Sequence, residues 1–204
     1  MQQAIEKQIV SRIYGKGRAW AFSQKDFADL GGTSTIHWAL AELEKAGTIR
    51  RILRGIYDYP RISQLLDAAL PPDVHQVAQA MARKFGWRIQ PGGAAALNLL
   101  DLSTQVPGRF QYFSNGPSRE YRVGKTTLEF RHQALKDAVR HDETAILLQA
   151  LKELGSKRIT TEVLRQMREW LPGTKRPRVL RDARGATTWI YEALTKICRE
   201  AADG

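Results

Sequence analysis

Cysteine is nearly absent from this 204-residue chain: Cys198 stands alone, so no internal disulfide can form. Long apolar runs are absent too. The longest uncharged stretch, Ile89 to Leu100, is interrupted by Gln90, Pro91, two glycines and Asn98, whereas a bilayer span takes ~20 apolar residues. Met1 to Val10 has no apolar core behind a basic flank, so no secretory signal is expected. One thiol and no export signal together predict a reducing, cytoplasmic compartment and no membrane partner. Histidine is scarce: His37, His75, His132 and His141 lie far apart, with no second cysteine to complete a zinc set. No metal site and no cofactor is therefore expected. There is also no internal repeat and no low-complexity tract.

Positive charge is what the chain does have. Thirty-two basic residues against 21 acidic ones give +11 and a pI near 10.0. Hydrophobic residues (43%) and charged residues (26%) are at levels usual for a globular chain. The basic excess is spread out, at +3 over residues 1–60, +4 over 61–133 and +4 over 134–204, so it is not confined to a disordered arm. Such a balance points to a polyanion, nucleic acid foremost.

The first sixty residues predict a helical unit closed by a hairpin. Ile5, Ile9 and Ile13 recur at helical spacing and predict a helix from Gln2 to Tyr14, stopped by Gly15 and Gly17. Ser23 caps a short helix to Leu30, with Asp26 completing a weak capping box. Ser34 is expected to cap a third helix, Thr35 to Ala46, which Gly47 ends. Two extended pieces, Thr48 to Leu53 and Gly55 to Tyr59, flank an Arg54-Gly55 turn before Pro60. This order is that of a winged helix-turn-helix.

Beyond Pro60, a linker helix is expected from Ile62 to Ala69. Asp73 then caps Val74 to Phe85, with Val77, Ala78, Met81 and Phe85 on one face, and Gly86 ends it. Trp87 to Gln90 reads as a short strand and Ala94 to Leu100 as a small-residue helix. Phe110 to Ser114, Glu120 to Val123 and Thr126 to His132 form a meander around Asn115-Gly116 and Gly124-Lys125. Helices follow at Glu143 to Leu154, Thr161 to Trp170 and Thr187 to Ala201. Basic, Pro- and Gly-punctuated Pro172 to Gly185 reads as a loop. The expected fold class is α+β: a winged helix-turn-helix over 1–60 and a mixed domain over 61–204 with a small antiparallel sheet and C-terminal helices.

The third helix carries the candidate site. With Ile36, Leu40 and Leu43 turned inward, Thr35, His37, Trp38, Ala41, Glu42 and Lys45 face outward, led by Thr33 and Ser34. Small hydroxyl residues at a helix start suit phosphate contacts. His37 and Trp38 are large enough to reach base edges or sugars. Arg50, Arg51 and Arg54 crowd the hairpin, where guanidinium groups suit phosphates or a minor groove. Lys16 and Arg18 can add backbone contacts. An alternative is a charged strand face that is merely solvated, with Trp38 packed under the hairpin.

Patterns for catalysis are weak, and no enzyme activity is expected. Gly124-Lys125-Thr126 spells the end of a phosphate loop, but the glycine required five residues earlier is Arg119 and the context is strand–turn–strand. Gly92-Gly93 lacks dinucleotide spacing. Asp142-Glu143 suits a helix start. Ser103-Thr104-Gln105 reads as a contact loop or a self-satisfied one.

The runs Ala39 to Pro60 (ALAELEKAGTIRRILRGIYDYP), Ala82 to Leu100 (ARKFGWRIQPGGAAALNLL), Leu102 to Pro107 (LSTQVP) and Tyr112 to Arg119 (YFSNGPSR) resemble the AbiEi-type antitoxins of type IV toxin–antitoxin systems, in their short form. The resemblance covers roughly residues 10–135. It implies a repressor that binds inverted repeats in its own promoter through the winged helix. It also implies antagonism of a nucleotidyltransferase toxin through the second domain, with no stable toxin complex required. Thr33 to Lys45 would then be the reading helix and Arg50 to Arg54 the wing. Two further readings use the same basic surface: a protein-interaction module, or an RNA-binding protein in which Tyr112, Phe113 and Tyr121 stack bases.

Overall fold

A computed structural model describes residues 2–103, 107–134 and 141–199. Contacts group the chain into two units, Met1–Arg88 with Glu120–Leu128 and Ile89–Arg119 with Glu129–Gly204. The sequence-based junction near Pro60 therefore differs from the grouping by contacts, which keeps residues 61–88 with the first unit. Among the described residues there are eight helices and small antiparallel sheets, a mixed α+β composition.

The first unit opens with α1 (Gln2–Lys16), β1 (Ala21–Phe22) and a 3-10 turn at Gln24–Phe27. The predicted short helix after Ser23 is only this turn. Its capping box is nonetheless complete: the Ser23 amide donates to Asp26 Oδ2 at 2.8 Å, and Ser23 Oγ accepts from Lys25 N at 3.2 Å. Next come α2 (Thr33–Lys45), β2 (Arg50–Leu53) and β3 (Ile56–Asp58). The sheet order is β1-β3-β2, with Ala21 opposite Asp58 and Phe22 opposite Tyr57. Ile9 and Ile13 of α1, Phe22, Phe27, and Ile36, Leu40 and Leu43 of α2 bury one core with Ile49 and Tyr57. Each such aliphatic or aromatic side chain contributes about 1.5–3 kcal/mol on burial.

Ile62 to Ala69 does not form the expected linker helix. It is a small hairpin, β4 (Ile62–Ser63) with β5 (Ala68–Ala69), and Asp67 takes a left-handed φ of 44°. A short helix needs its apolar stripe covered, and here Leu65 is 93% and Leu66 68% exposed. By contrast α3 (Val74–Phe85) has the predicted bounds: Asp73 caps Gln76 N at 3.1 Å, and Gly86 ends the helix at φ 71°. Val77, Ala78 and Met81 are buried, but Phe85 is exposed and stacks on Trp87 at 4.7 Å. Helix α3 packs on β1, on the 3-10 turn and on β3, which makes it part of the first unit.

The second unit pairs β6 (Ile89–Pro91) with β7 (Arg109–Ser114), Ile89 lying opposite Ser114. Helix α4 (Gly93–Leu99) lies between them in sequence. The sheet order is β6-β7-β9-β8, where β8 (Arg119–Val123) and β9 (Thr126–His132) form a hairpin around Gly124 whose residues 120–128 group with the first unit. Helices α5 (Asp142–Leu154), α6 (Thr161–Trp170), α7 (Arg176–Asp182) and α8 (Thr188–Cys198) follow. Leu147, Leu151, Met167, Val179, Leu194 and Ile197 anchor their core. A side chain at Gly93 would collide with Glu153, so α4 and α5 approach closely there.

The stretch Pro172 to Gly185, expected as a loop, is 3-10 turn, α7 and 3-10 turn. Pro177 sits in the first turn of α7, where its missing N–H has no partner to lose. Val179 and Ala183, four apart, are both buried.

Candidate nucleic-acid interface

Helix α2 begins two residues before the expected Thr35. Gly32 is its N-cap and no side chain caps it, which corrects the role given to Ser34. Thr33, Ser34 and Thr35 therefore occupy the first turn, where amides lack intrahelical partners. Thr33, Ser34, His37, Trp38, Ala41 and Lys45 are exposed, while Thr35 and Glu42 are half-buried. Trp38, 41% exposed, belongs to the outer face and not to the buried set of α2.

The hairpin separates its arginines. Leu53 pairs with Ile56 across the Arg54-Gly55 turn, but a bulge between Arg51 and Leu53 shifts the register by one. Arg51 therefore faces Tyr57, and Arg50 faces Asp58. Arg50 Nη2 and Nε donate to the Asp58 carboxylate at 2.7 and 3.1 Å, and Nη1 donates to the Leu70 carbonyl at 3.0 Å. Asp58 is buried. Arg50, expected on phosphates, is half-buried and paired with Asp58, and an unpaired Asp58 there would cost about 3–5 kcal/mol. Arg51 and Arg54 remain exposed and form no ion pair among the described residues.

Arg18 lies over the Tyr59 ring at 4.6 Å and donates to the Pro60 carbonyl at 2.7 Å, so part of its capacity serves the fold. Lys16 ends α1 and is exposed.

Three basic residues escaped the sequence reading. Arg12 forks onto Asp29 at 2.7 and 2.6 Å, and this bond holds the Asp29 carboxyl at about 2. Arg83 of α3 donates to Asp26 Oδ1 at 2.5 Å and to the Ala21 carbonyl at 2.8 Å. Lys84 reaches the hairpin turn, where Nζ donates to the Arg54 carbonyl at 2.8 Å. A cleft of about 460 Å³ lies at this point, lined by Lys25, Thr33, Ile36, Gly55 and Lys84 among others. Among the described residues no carboxylate lines it. Lys84 bears on the hairpin turn and Arg83 on β1 and the 3-10 turn, although both follow Pro60, where the helix-and-hairpin pattern ends. Their position at the basic end of a cleanly capped helix was the available signal.

In the second unit several basic side chains are paired or cap carbonyls. Glu143 at the start of α5 holds Lys175 and takes Arg178 Nη2 at 3.1 Å. Burial pushes the Glu143 carboxyl up, but the Lys175 bond, a backbone bond and both positive charges outweigh it, leaving it below its usual range. Arg165 bridges Glu162 and Glu169, and Arg168 caps the carbonyls of Lys196, Ile197 and Arg199. Gly124-Lys125-Thr126 lies between strands. Cys198 is buried, and burial raises its thiol. Thr104 and Gln105 lie outside the described residues. Among the described residues no cluster of His, Cys, Asp or Glu is arranged to hold a metal, and no helix is long and apolar enough to cross a membrane.

These features define a mixed α+β protein whose first unit exposes the outer face of α2 and two hairpin arginines, Arg51 and Arg54. The chain belongs to DUF6088, a family of unknown function, whose profile matches residues 8–178. No curated protein and no solved structure matches it.

Proposed function

We propose that this chain is a sequence-specific DNA-binding protein whose residues 1–60 act as a winged helix-turn-helix. In this reading α2 enters the major groove and the β2–β3 hairpin is the wing. The order α1, β1, turn, α2, β2, β3 and the sheet order β1-β3-β2 support it. The observation that carries it is the outer face of α2: Thr33, Ser34, His37 and Trp38 are all exposed, in a unit whose hairpin leaves Arg51 and Arg54 without acidic partners among the described residues. Arg51, Arg54, Lys16, Lys45 and in part Arg18 contact phosphates, while His37 and Trp38 reach base edges or sugars. Autorepression at inverted repeats and antagonism of a nucleotidyltransferase toxin follow from the antitoxin resemblance alone.

The test is binding to the duplex upstream of its own gene against a scrambled duplex, titrated across salt. A preference of ~10³ or more over a salt-dependent baseline is the expected result. Equal, weak binding to both would refute the reading. One observation favours a second role as a protein-interaction module: the β4–β5 tip exposes Leu65 and Leu66 side by side.

A further inference from the structure

Lys84 stands outside the helix-and-hairpin segment, yet its ammonium ends at the hairpin turn. Nζ donates to the Arg54 carbonyl at 2.8 Å. The next residue, Gly55, has φ +72°, and a Cβ there would lie 2.8 Å from the same Nζ. Glycine therefore serves twice, allowing the left-handed turn and leaving room for the lysine. Lys84 also lies 5.3 Å from the centroid of the Phe85 ring. Burial first, and the positive charge of Arg54 second, push its ammonium below the usual lysine range. Among the described residues no carboxylate lines the cleft to offset this. A half-buried ammonium beside a like charge is unfavourable in isolation. Its hydrogen bond to the turn carbonyl is what it gains there.

We propose that Lys84 is a positioning residue for nucleic-acid binding: by holding the Arg54 carbonyl it fixes the hairpin turn so that the Arg54 guanidinium faces a phosphate. The inference rests on the DNA-binding reading above and extends it, since the contact surface then depends on a helix beyond Pro60. Lys84 acts through Arg54, so loss of either should remove the same contacts.

The experiment is duplex binding by the full chain, with the wild type, Lys84→Met, Arg54→Ala and the double variant compared across salt. Lys84→Met is expected to bind about tenfold more weakly, with a shallower salt slope, as Arg54→Ala does. The double variant is expected to bind within about twofold of Arg54→Ala, because the two sites share one contact. Lys84→Gln, which keeps a donor without the charge, is expected to retain the wild-type slope. It also serves as the folding control if Lys84→Met lowers the melting midpoint. Independent effects that multiply to about a hundredfold, or a Lys84→Gln slope reduced by about one, would make Lys84 a phosphate contact in its own right and overturn the positioning role. Wild-type affinity in Lys84→Met would overturn it as well. A wild type that does not prefer its upstream duplex would instead overturn the DNA-binding reading, and this inference with it.

Discussion

In the first unit Arg51 and Arg54 reach solvent with no acidic partner among the described residues, whereas in the second Lys175 and Arg178 close on Glu143 and Arg165 closes on Glu162 and Glu169. Within the basic stretch Pro172 to Gly185, Lys175 and Arg178 clamp the start of α5, while Arg181 and Arg184 are exposed. Net charge by segment locates neither the clamp nor the open face. What distinguishes them is whether a carboxylate lies within reach across the fold. The same contrast recurs within one hairpin: Arg50 is held by Asp58, and Arg51, one residue on, is not.

Substitutions that separate these two kinds of arginine sharpen the comparison. The largest effect belongs to Arg50→Ala, which leaves Asp58 buried and unpaired. It should lower stability by about 3 kcal/mol in a denaturant titration, and any loss of DNA binding should track the unfolding. Arg51→Ala should do the reverse, leaving the unfolding midpoint within about 0.5 kcal/mol of wild type. Its duplex affinity should fall about tenfold, equally for all sequences, with the salt slope reduced by about one. His37→Ala should instead blunt discrimination between upstream and scrambled duplexes, by about 1–3 kcal/mol if it reads a base. In the second unit, Glu143→Gln should cost about 1 kcal/mol of stability and leave duplex binding unchanged.

The smallest effect is acid loss. Asp29 and Glu143 both have folded-state values below their unfolded ones, so each contribution is present above the unfolded value and is lost on acidification. For Asp29 the window runs from 3.8 down to about 2. Its exposure keeps the effect small, and carboxyl NMR titration should show the depressed midpoint rise to the ordinary range in Arg12→Ala.

Much of the fold was legible because its signals are local. The Ser23–Asp26 box, the Asp73 cap, Gly86 and the Asn115-Gly116 and Gly124-Lys125 turns each act within a few residues, and α3, α6 and β9 took their predicted bounds. Errors arose where tertiary contact decides. Ile62, Leu65, Leu66 and Ala69 have helical spacing but nothing covering them, so the helix does not form. Pro177 reads as a breaker, yet it sits in the first turn of α7, where a proline is tolerated, and burial of Val179 holds the helix that follows. At the hairpin, a plain two-residue turn would set Arg51 opposite Asp58, and the bulge moves that partner to Arg50. One extra residue in a strand thus decides which arginine is structural. The outer face of α2 was readable from spacing alone, but the reach of Lys84 to Arg54 needs the packing of α3.

The most direct test compares two double variants of the full chain on the upstream duplex across salt, Arg51→Ala with Arg54→Ala and Arg181→Ala with Arg184→Ala. All four arginines are exposed, so neither pair should unfold the protein. The first pair should weaken binding about a hundredfold and lower the salt slope by about two, and the second should bind like wild type. Equal losses from both pairs, or a larger loss from the second, would contradict an interface confined to the helix and hairpin of the first unit.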